Sequence, residues 1–240
     1  MQRIDTNVAI VRGKIAAACL RAGRDPEDVK LVAVTKGVSA ELIREAYDSS
    51  LRDFGENRVQ EAEAKRGELQ GLTPPPAWHL IGHLQTNKVG AALRLFDIIH
   101  SVDSVRLARA LSERAGGGTR VLLEVNIAGE ATKSGFAPED VEQAFAEISS
   151  LPGLDIRGLM TVAPVMIRPT PPAAVLEWKS RVAWVTKPSS VAVLCSKAGK
   201  TMRLSSRTPP THIGVKSLIL MFSVPLEPGW TKWTRVDIVD

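Results

Sequence analysis

Up to residue 163 this chain alternates between short apolar runs and stretches with helical spacing, and at Pro164 the alternation stops. The runs are "LVAVTK" (31–36), "RDFGEN" (52–57), "WHLIG" (78–82), "FDIIHSV" (96–102), "RVLLEVNIAG" (120–129) and "LDIRGLMTVAP" (154–164). Most are too short for helices and rich in Val, Ile and Leu, the pattern of strands buried on both faces. The stretches between them have a different period. "IDTNVAIVRGKIAAAC" sets Ile4, Val8, Val11, Ile15 and Cys19 on one helical stripe, and "SAELIREAYDSS" repeats Leu42, Ile43, Ala46 and Tyr47 at helical spacing. "VQEAEAKRGELQ" reads as a polar helix, Asp103 is placed to cap "SVRLARALSERA", and Pro138 opens the helix of "EDVEQAFAEISSL". About six strand–helix units in order predict an α/β fold with a parallel sheet or barrel.

Composition enters through its unevenness. Residues 1–163 carry 20 Lys and Arg against 22 Asp and Glu, whereas residues 164–240 carry 11 against 4, so the net charge of +5 belongs to the last third. Nine of the 15 prolines and four of the five tryptophans also fall at or after Pro164, and neither period survives there. Residues 164–240 read either as a Pro-rich terminal region with a few strands, or as a segment foreign to what precedes it. A change of reading frame near codon 165 would produce the second. No basic cluster interleaved with aromatics occurs in residues 1–163, so no nucleic-acid partner is expected. The longest apolar stretch, "SLILMFSVPL", is too short to span a bilayer, and the N-terminus has no apolar h-region, so no membrane association is expected either. Cys19 and Cys195 are too few for a disulfide framework, which fits a cytoplasmic protein.

The first apolar run closes on a lysine. Lys36 is either a solvated charge where the strand leaves the core or an amine held for covalent chemistry. An exposed ammonium, with a pKa of about 10.4, is seldom neutral enough to attack a carbonyl. Partial burial at a strand end lowers the cost of losing the proton and fixes the depth at which the nitrogen is presented. Other polar residues at strand ends leave similar alternatives. Asn57 is a turn amide or a hydrogen-bonding group for a ligand. His79 is a ligand-stacking ring or a satisfied core histidine, according to its register. Asn126, Ser134 and Gly135 lie at or just beyond the polar end of the fifth run, and Met160 is a core or lining residue near the end of the sixth.

Six words in order, "LVAVTK", "DFGENRVQEAEAK", "WHLIGHLQTNK", "IHSVDS", "VLLEVNIAGEATKSGF" and "RGLMTV", make residues 1–163 resemble the pyridoxal phosphate homeostasis protein family, which is related to the N-terminal barrel of alanine racemase. The resemblance implies a (β/α)8 TIM-like barrel of PLP fold type III, here incomplete, with residues 1–163 as the PLP-binding barrel portion and 164–240 as an atypical segment. It implies pyridoxal 5′-phosphate (PLP) as cofactor, held as an aldimine on Lys36, with Asn57, His79, Asn126, Ser134, Gly135 and Met160 as further cofactor-binding residues. On such a barrel these positions fall on the C-terminal rim, where chemistry is carried. The implied role is carrying or regulating PLP in vitamin B6 homeostasis without robust turnover, as a monomer whose partners are PLP and PLP-dependent apoenzymes.

The resemblance breaks off where the composition changes. Family members continue with a Ser-Met-Gly-Met-Ser-like word, then Val-Arg-Ile-Gly and a terminal Phe-Gly, the turns that bind the PLP phosphate. Residues 165–240 carry none of these, and "HIGVKS" (212–217) is a faint echo. Two alternatives follow: a racemase-like PLP enzyme, or a remnant that has lost its phosphate site. A racemase needs a second base, and the one tyrosine, Tyr47, sits on a helix away from the rim.

Overall fold

The computed structural model describes residues 4–127, 129 and 133–161 in full, together with the backbone of four later strands. After the N-terminal helix α1 (Ile4–Arg21), strands and helices alternate. They are β1 (Val29–Val34), α2 (Ala40–Asp48), β2 (Asp53–Glu56), α3 (Val59–Glu68), β3 (Ala77–Leu80), α4 (Val89–Leu95), β4 (Ile98–Val102), α5 (Val105–Ser112), β5 (Thr119–Glu124), α6 (Val141–Ser149) and β6 (Leu154–Met160). The six strands pair in parallel in chain order and curl into a half-barrel. The expected incomplete barrel of six strands is therefore the observed fold.

Beyond β6, β7 (Ser190–Cys195) lies parallel to β1 and β8 (Ser217–Phe222) antiparallel to β7. Strand β9 (Thr231–Lys232) lies parallel to β6, and β10 (Thr234–Val236) antiparallel to β8. Of the "HIGVKS" echo only Ser217 is a described residue. No helix among the described residues is long and apolar enough to cross a membrane.

Strand alternation sorts the side chains onto two faces. Ala33, Phe54, Trp78, Leu80, Ile99, Val121 and Leu123 form one buried cluster with Ile43, Ala62, Val89, Leu107, Leu111 and Ile148 from the helices. Opposite it, on the concave face, Val32, Val34 and Ile81 close over Gly55, where an added Cβ would meet them at 3.3–3.4 Å. Leu122 and Met160 are also fully buried there. A smaller cluster of Ile15, Cys19 and Val29 seats α1, following the stripe read from its sequence. On α2 the buried stripe is narrower than expected: Ile43, Ala46 and Tyr47 are buried, whereas Leu42 is exposed.

Two local expectations are corrected. The first strand ends at Val34, so Lys36 lies two residues past it, in a turn completed by Gly37 at φ +67°. The ladder stops because the Thr35 carbonyl is taken by the Val38 amide, at 2.9 Å, and by the Lys65 ammonium, at 2.6 Å. The cap of α5 is Ser104, whose Oγ accepts from the Leu107 amide at 3.3 Å, and not Asp103, whose carboxylate is engaged by His83 at 2.9 Å.

Candidate functional site

The C-terminal ends of β1 to β6 form a rim, and the residues singled out from sequence divide along it. On the β1–β2 side, Lys36 is half-buried. Val32 and Val34 turn inward over Gly55 and the Thr35 hydroxyl reaches Glu56 at the end of β2, so Lys36 follows at the rim between β1 and β2. Its neighbours are held closely. The Thr35 amide donates to the Gly55 carbonyl at 2.9 Å and its hydroxyl donates to Glu56 Oε1 at 2.6 Å. Lys65 Nζ donates to the Thr35 carbonyl, to Glu56 Oε1 at 2.7 Å and to Glu61 Oε1 at 2.7 Å. Glu61 Oε1 also accepts from the Gly37 amide at 2.5 Å.

Burial pushes the Glu56 carboxyl above its ordinary range despite its bonds from Lys65 and Thr35. Burial pushes Glu61 the same way, but there the Lys65 ammonium and the Gly37 amide outweigh it and hold the carboxyl below its ordinary range.

Asn57 follows β2 and is placed by its contact with the next unit. A Cβ on Gly82 would come within 2.4 Å of the Asn57 carbonyl oxygen and 2.7 Å of its Cα, so the backbones of "GEN" and "LIG" touch only because residue 82 is glycine. Ser101 Oγ donates to the Gly82 carbonyl at 2.6 Å, which ties the "IHSVDS" word to the same point.

On the β5–β6 side, Asn126, Ser134, Gly135 and Met160 come together. The Phe136 amide donates to the Glu124 carbonyl at 2.8 Å, the Asn126 amide donates to the Phe136 carbonyl at 2.9 Å, and Asn126 Nδ2 donates to the Lys133 carbonyl at 3.3 Å. Gly135, at φ +119°, lies so close that a Cβ would sit 2.8 Å from the Asn126 nitrogen. Met160, 1% exposed, ends β6 and takes the Val125 amide on its carbonyl at 2.8 Å.

His79 is fully buried, Nδ1 lies 2.8 Å from His100 Nε2 and Nε2 lies 3.0 Å from Asp53 Oδ1. Both ring nitrogens are engaged, so the histidine's polar atoms are satisfied within the half-barrel. Lys30 extends the chain at 3.2 Å from Asp53. Burial, and then the neighbouring His79, hold His100 well below the ordinary histidine range, so it stays neutral.

Sequence reasoning missed two groups. One is the Thr35–Glu56–Glu61–Lys65 network, whose only local signal is the Glu61–Lys65 spacing of four residues. The other is a set of ionisable residues on the β3–β5 rim. There His83 Nδ1 lies 2.9 Å from Asp103 Oδ2 and 3.5 Å from Ser134 Oγ. Burial, and then Asp103, push the nearby Glu124 carboxyl up to about 7. Ser134 and Asp103 address the same ring nitrogen of His83, so these three do not form a nucleophile–base relay, which needs one partner on each nitrogen.

A parallel half-barrel with a lysine just beyond its first strand defines a class, and residues 7–187 match the family described as alanine racemase, N-terminal domain. The chain belongs to that family and, within it, to the pyridoxal phosphate homeostasis proteins. It is 45% identical over 165 residues to the pyridoxal phosphate homeostasis protein of Pseudomonas aeruginosa, covering 68% of this chain and 71% of that one. Among solved structures, a protein of unknown function from Bifidobacterium adolescentis is similar with a TM-score of 0.68 and 35% identity, covering 78% of this chain and 81% of that one. PipY of Synechococcus elongatus, solved with PLP bound, is similar with a TM-score of 0.56 and 37% identity, covering 71% of this chain and 82% of that one.

Proposed function

We propose that this chain binds PLP on the concave rim of its half-barrel, captures it covalently through Lys36, and serves PLP homeostasis without robust turnover. The observation that carries the reading is Lys36 itself: a half-buried residue at the rim just beyond β1, whose flanking backbone is hydrogen-bonded on both sides. The relatives' names and the PLP-bound PipY structure support the choice of ligand.

The rim residues suit the aldehyde and ring of such a group. They offer the amine of Lys36 and the side-chain amides of Asn57 and Asn126. When bound, PLP would supply an electrophilic aldehyde, which the Lys36 amine would hold. Lys36 provides the nucleophilic nitrogen, Asn57 a hydrogen bond to a ring substituent, and Met160 an apolar wall. Asn126, Ser134 and Gly135 bound the opposite edge.

Delivery to PLP-dependent apoenzymes in the cytoplasm, by a monomer, is part of this reading. So is a distinct origin for residues 164–240, supported by their composition, although the family match itself runs to residue 187. Sequencing the gene across codons 160–240 tests that origin: an intact frame whose codons cannot encode the family's words in another frame overturns it.

A racemase reading needs a second base opposite Lys36. Tyr47 is 6% exposed near the far end of α2 and donates its hydroxyl to the Pro74 carbonyl at 2.7 Å. Its place does not favour that role.

Addition of PLP to the purified chain should give the visible absorbance of a Schiff base, fixed by borohydride onto Lys36 and abolished in Lys36→Ala. Absence of the band at saturating PLP overturns the binding reading and leaves the remnant.

A further inference from the structure

The network under Lys36 does more than neutralise a buried charge. Lys65 and Glu61 stand four residues apart on α3, and each grips a different side of Lys36. Lys65 donates to the carbonyl of residue 35 and Glu61 accepts from the amide of residue 37, at 2.6 and 2.5 Å. The grip is closed on itself. The remaining two protons of the Lys65 ammonium go to Glu56 and Glu61, so all three are used, and the Lys65 side chain is only 10% exposed. Glu56 is fully buried and receives the Thr35 hydroxyl on the oxygen that takes Lys65. An ammonium whose three donors all point at fixed acceptors cannot swing without leaving one of them unpaired in a dry site, which costs more than an ordinary hydrogen bond returns.

The two peptide groups flanking Lys36 are therefore referenced to α3 as well as to the β1–β2 ladder. Two fixed peptide planes on either side of one residue leave its Cα–Cβ direction little freedom.

We propose that Lys65 and Glu61 are positioning residues for Lys36, holding the backbone on either side of it so that its amine is presented at a set place on the concave rim. The inference rests on the reading of Lys36 as the PLP-capturing residue, and its test separates the two. In the full chain without PLP, amide hydrogen exchange is followed at Gly37 in wild type, Glu61→Ala, Glu61→Gln and Lys65→Met. The rate of borohydride-fixed PLP capture at Lys36 is then measured by peptide mapping in the same proteins.

Glu61→Ala should speed exchange at Gly37 at least about tenfold with the amides of β2 and β3 unchanged, a local opening rather than a global one. It should also slow capture at Lys36 by about ten- to a hundredfold, the usual effect of misplacing a reacting group. Glu61→Gln, which keeps an acceptor for the Gly37 amide, should recover most of the exchange protection. Should Lys65→Met fail to fold, the two Glu61 variants, altered at a side chain 30% exposed, decide the matter. Unchanged Gly37 exchange and unchanged capture in Glu61→Ala overturn the positioning role. Capture that persists in Lys36→Ala overturns the underlying reading instead, and the Gly37 result then stands as a statement about the turn alone.

Discussion

On the β1–β2 side of the rim the backbone around Lys36 is held by charged side chains reaching up from α3. On the β5–β6 side the loop carrying Ser134 and Gly135 is held against Asn126 largely by main-chain hydrogen bonds and a close glycine contact. The two kinds of support fail in opposite ways. A charged grip is lost when atoms are removed, because the partners left behind are buried and unpaired. A main-chain grip is indifferent to most side-chain deletions and fails when atoms are added where backbones touch. The first suits a residue whose position must be specified, the second a border that only has to stay closed.

The strongest way to break this contrast is Lys65→Met, which strips Glu56 and Glu61 of their cation without changing side-chain length much. Unfolding by urea at neutral pH should show a loss of about 3 kcal/mol, and Glu56→Gln added to it should return part of that loss. Next comes Gly135→Ala on the other side. A Cβ would meet the Asn126 nitrogen at 2.8 Å and φ is +119°, so a loss of about 2 kcal/mol is expected in the same assay.

Glu124→Gln sharpens the comparison through pH. The Glu124 carboxyl, pushed up from 4.5 to about 7, keeps its proton more readily folded than unfolded. Its contribution to stability is therefore complete below the unfolded value and is lost as pH rises through the folded one. Glutamine cannot ionise, so at about pH 8 the variant should be more stable than wild type by about 1–3 kcal/mol, with the gap closing as the medium is acidified. Thermal unfolding across that range reads it, and a parallel pH dependence in the two proteins would show that Glu124 is not the group responsible. The smallest effect belongs to Ser134→Ala. Its hydroxyl approaches His83 only at 3.5 Å on an exposed loop, and a change within about 0.5 kcal/mol is expected.

Much of the framework was legible in the sequence because the β-strand runs and the helical spacing differ in period, and the alternation of six runs left few parallel arrangements open. Lys36 was legible because a cation after four apolar residues is conspicuous. What it lacked was its true boundary: the strand stops two residues earlier, for a reason supplied by Lys65 from 30 positions away. His79 could not be assigned from its own word. Its face depends on register, and the residues that satisfy it, Asp53 and His100, belong to neighbouring strands 26 and 21 positions off. Glu61 and Lys65 lie in a stretch that reads only as a polar helix, and i,i+4 spacing says nothing about what else two such groups touch. Asp103 and Ser104 are adjacent capping types, and only the competing attraction of His83 decides between them.

The clamp also sets an order of events during synthesis. Lys36 leaves the ribosome about thirty residues before Lys65, and until α3 has emerged and docked, the grips of Lys65 and Glu61 on the peptides around the lysine are missing. An emerging chain exposes an ordinary flexible amine, one among many, and the presented nitrogen comes into being only with the closing of the first two strand–helix units. A truncated product ending before α3 would keep the lysine and lose its address.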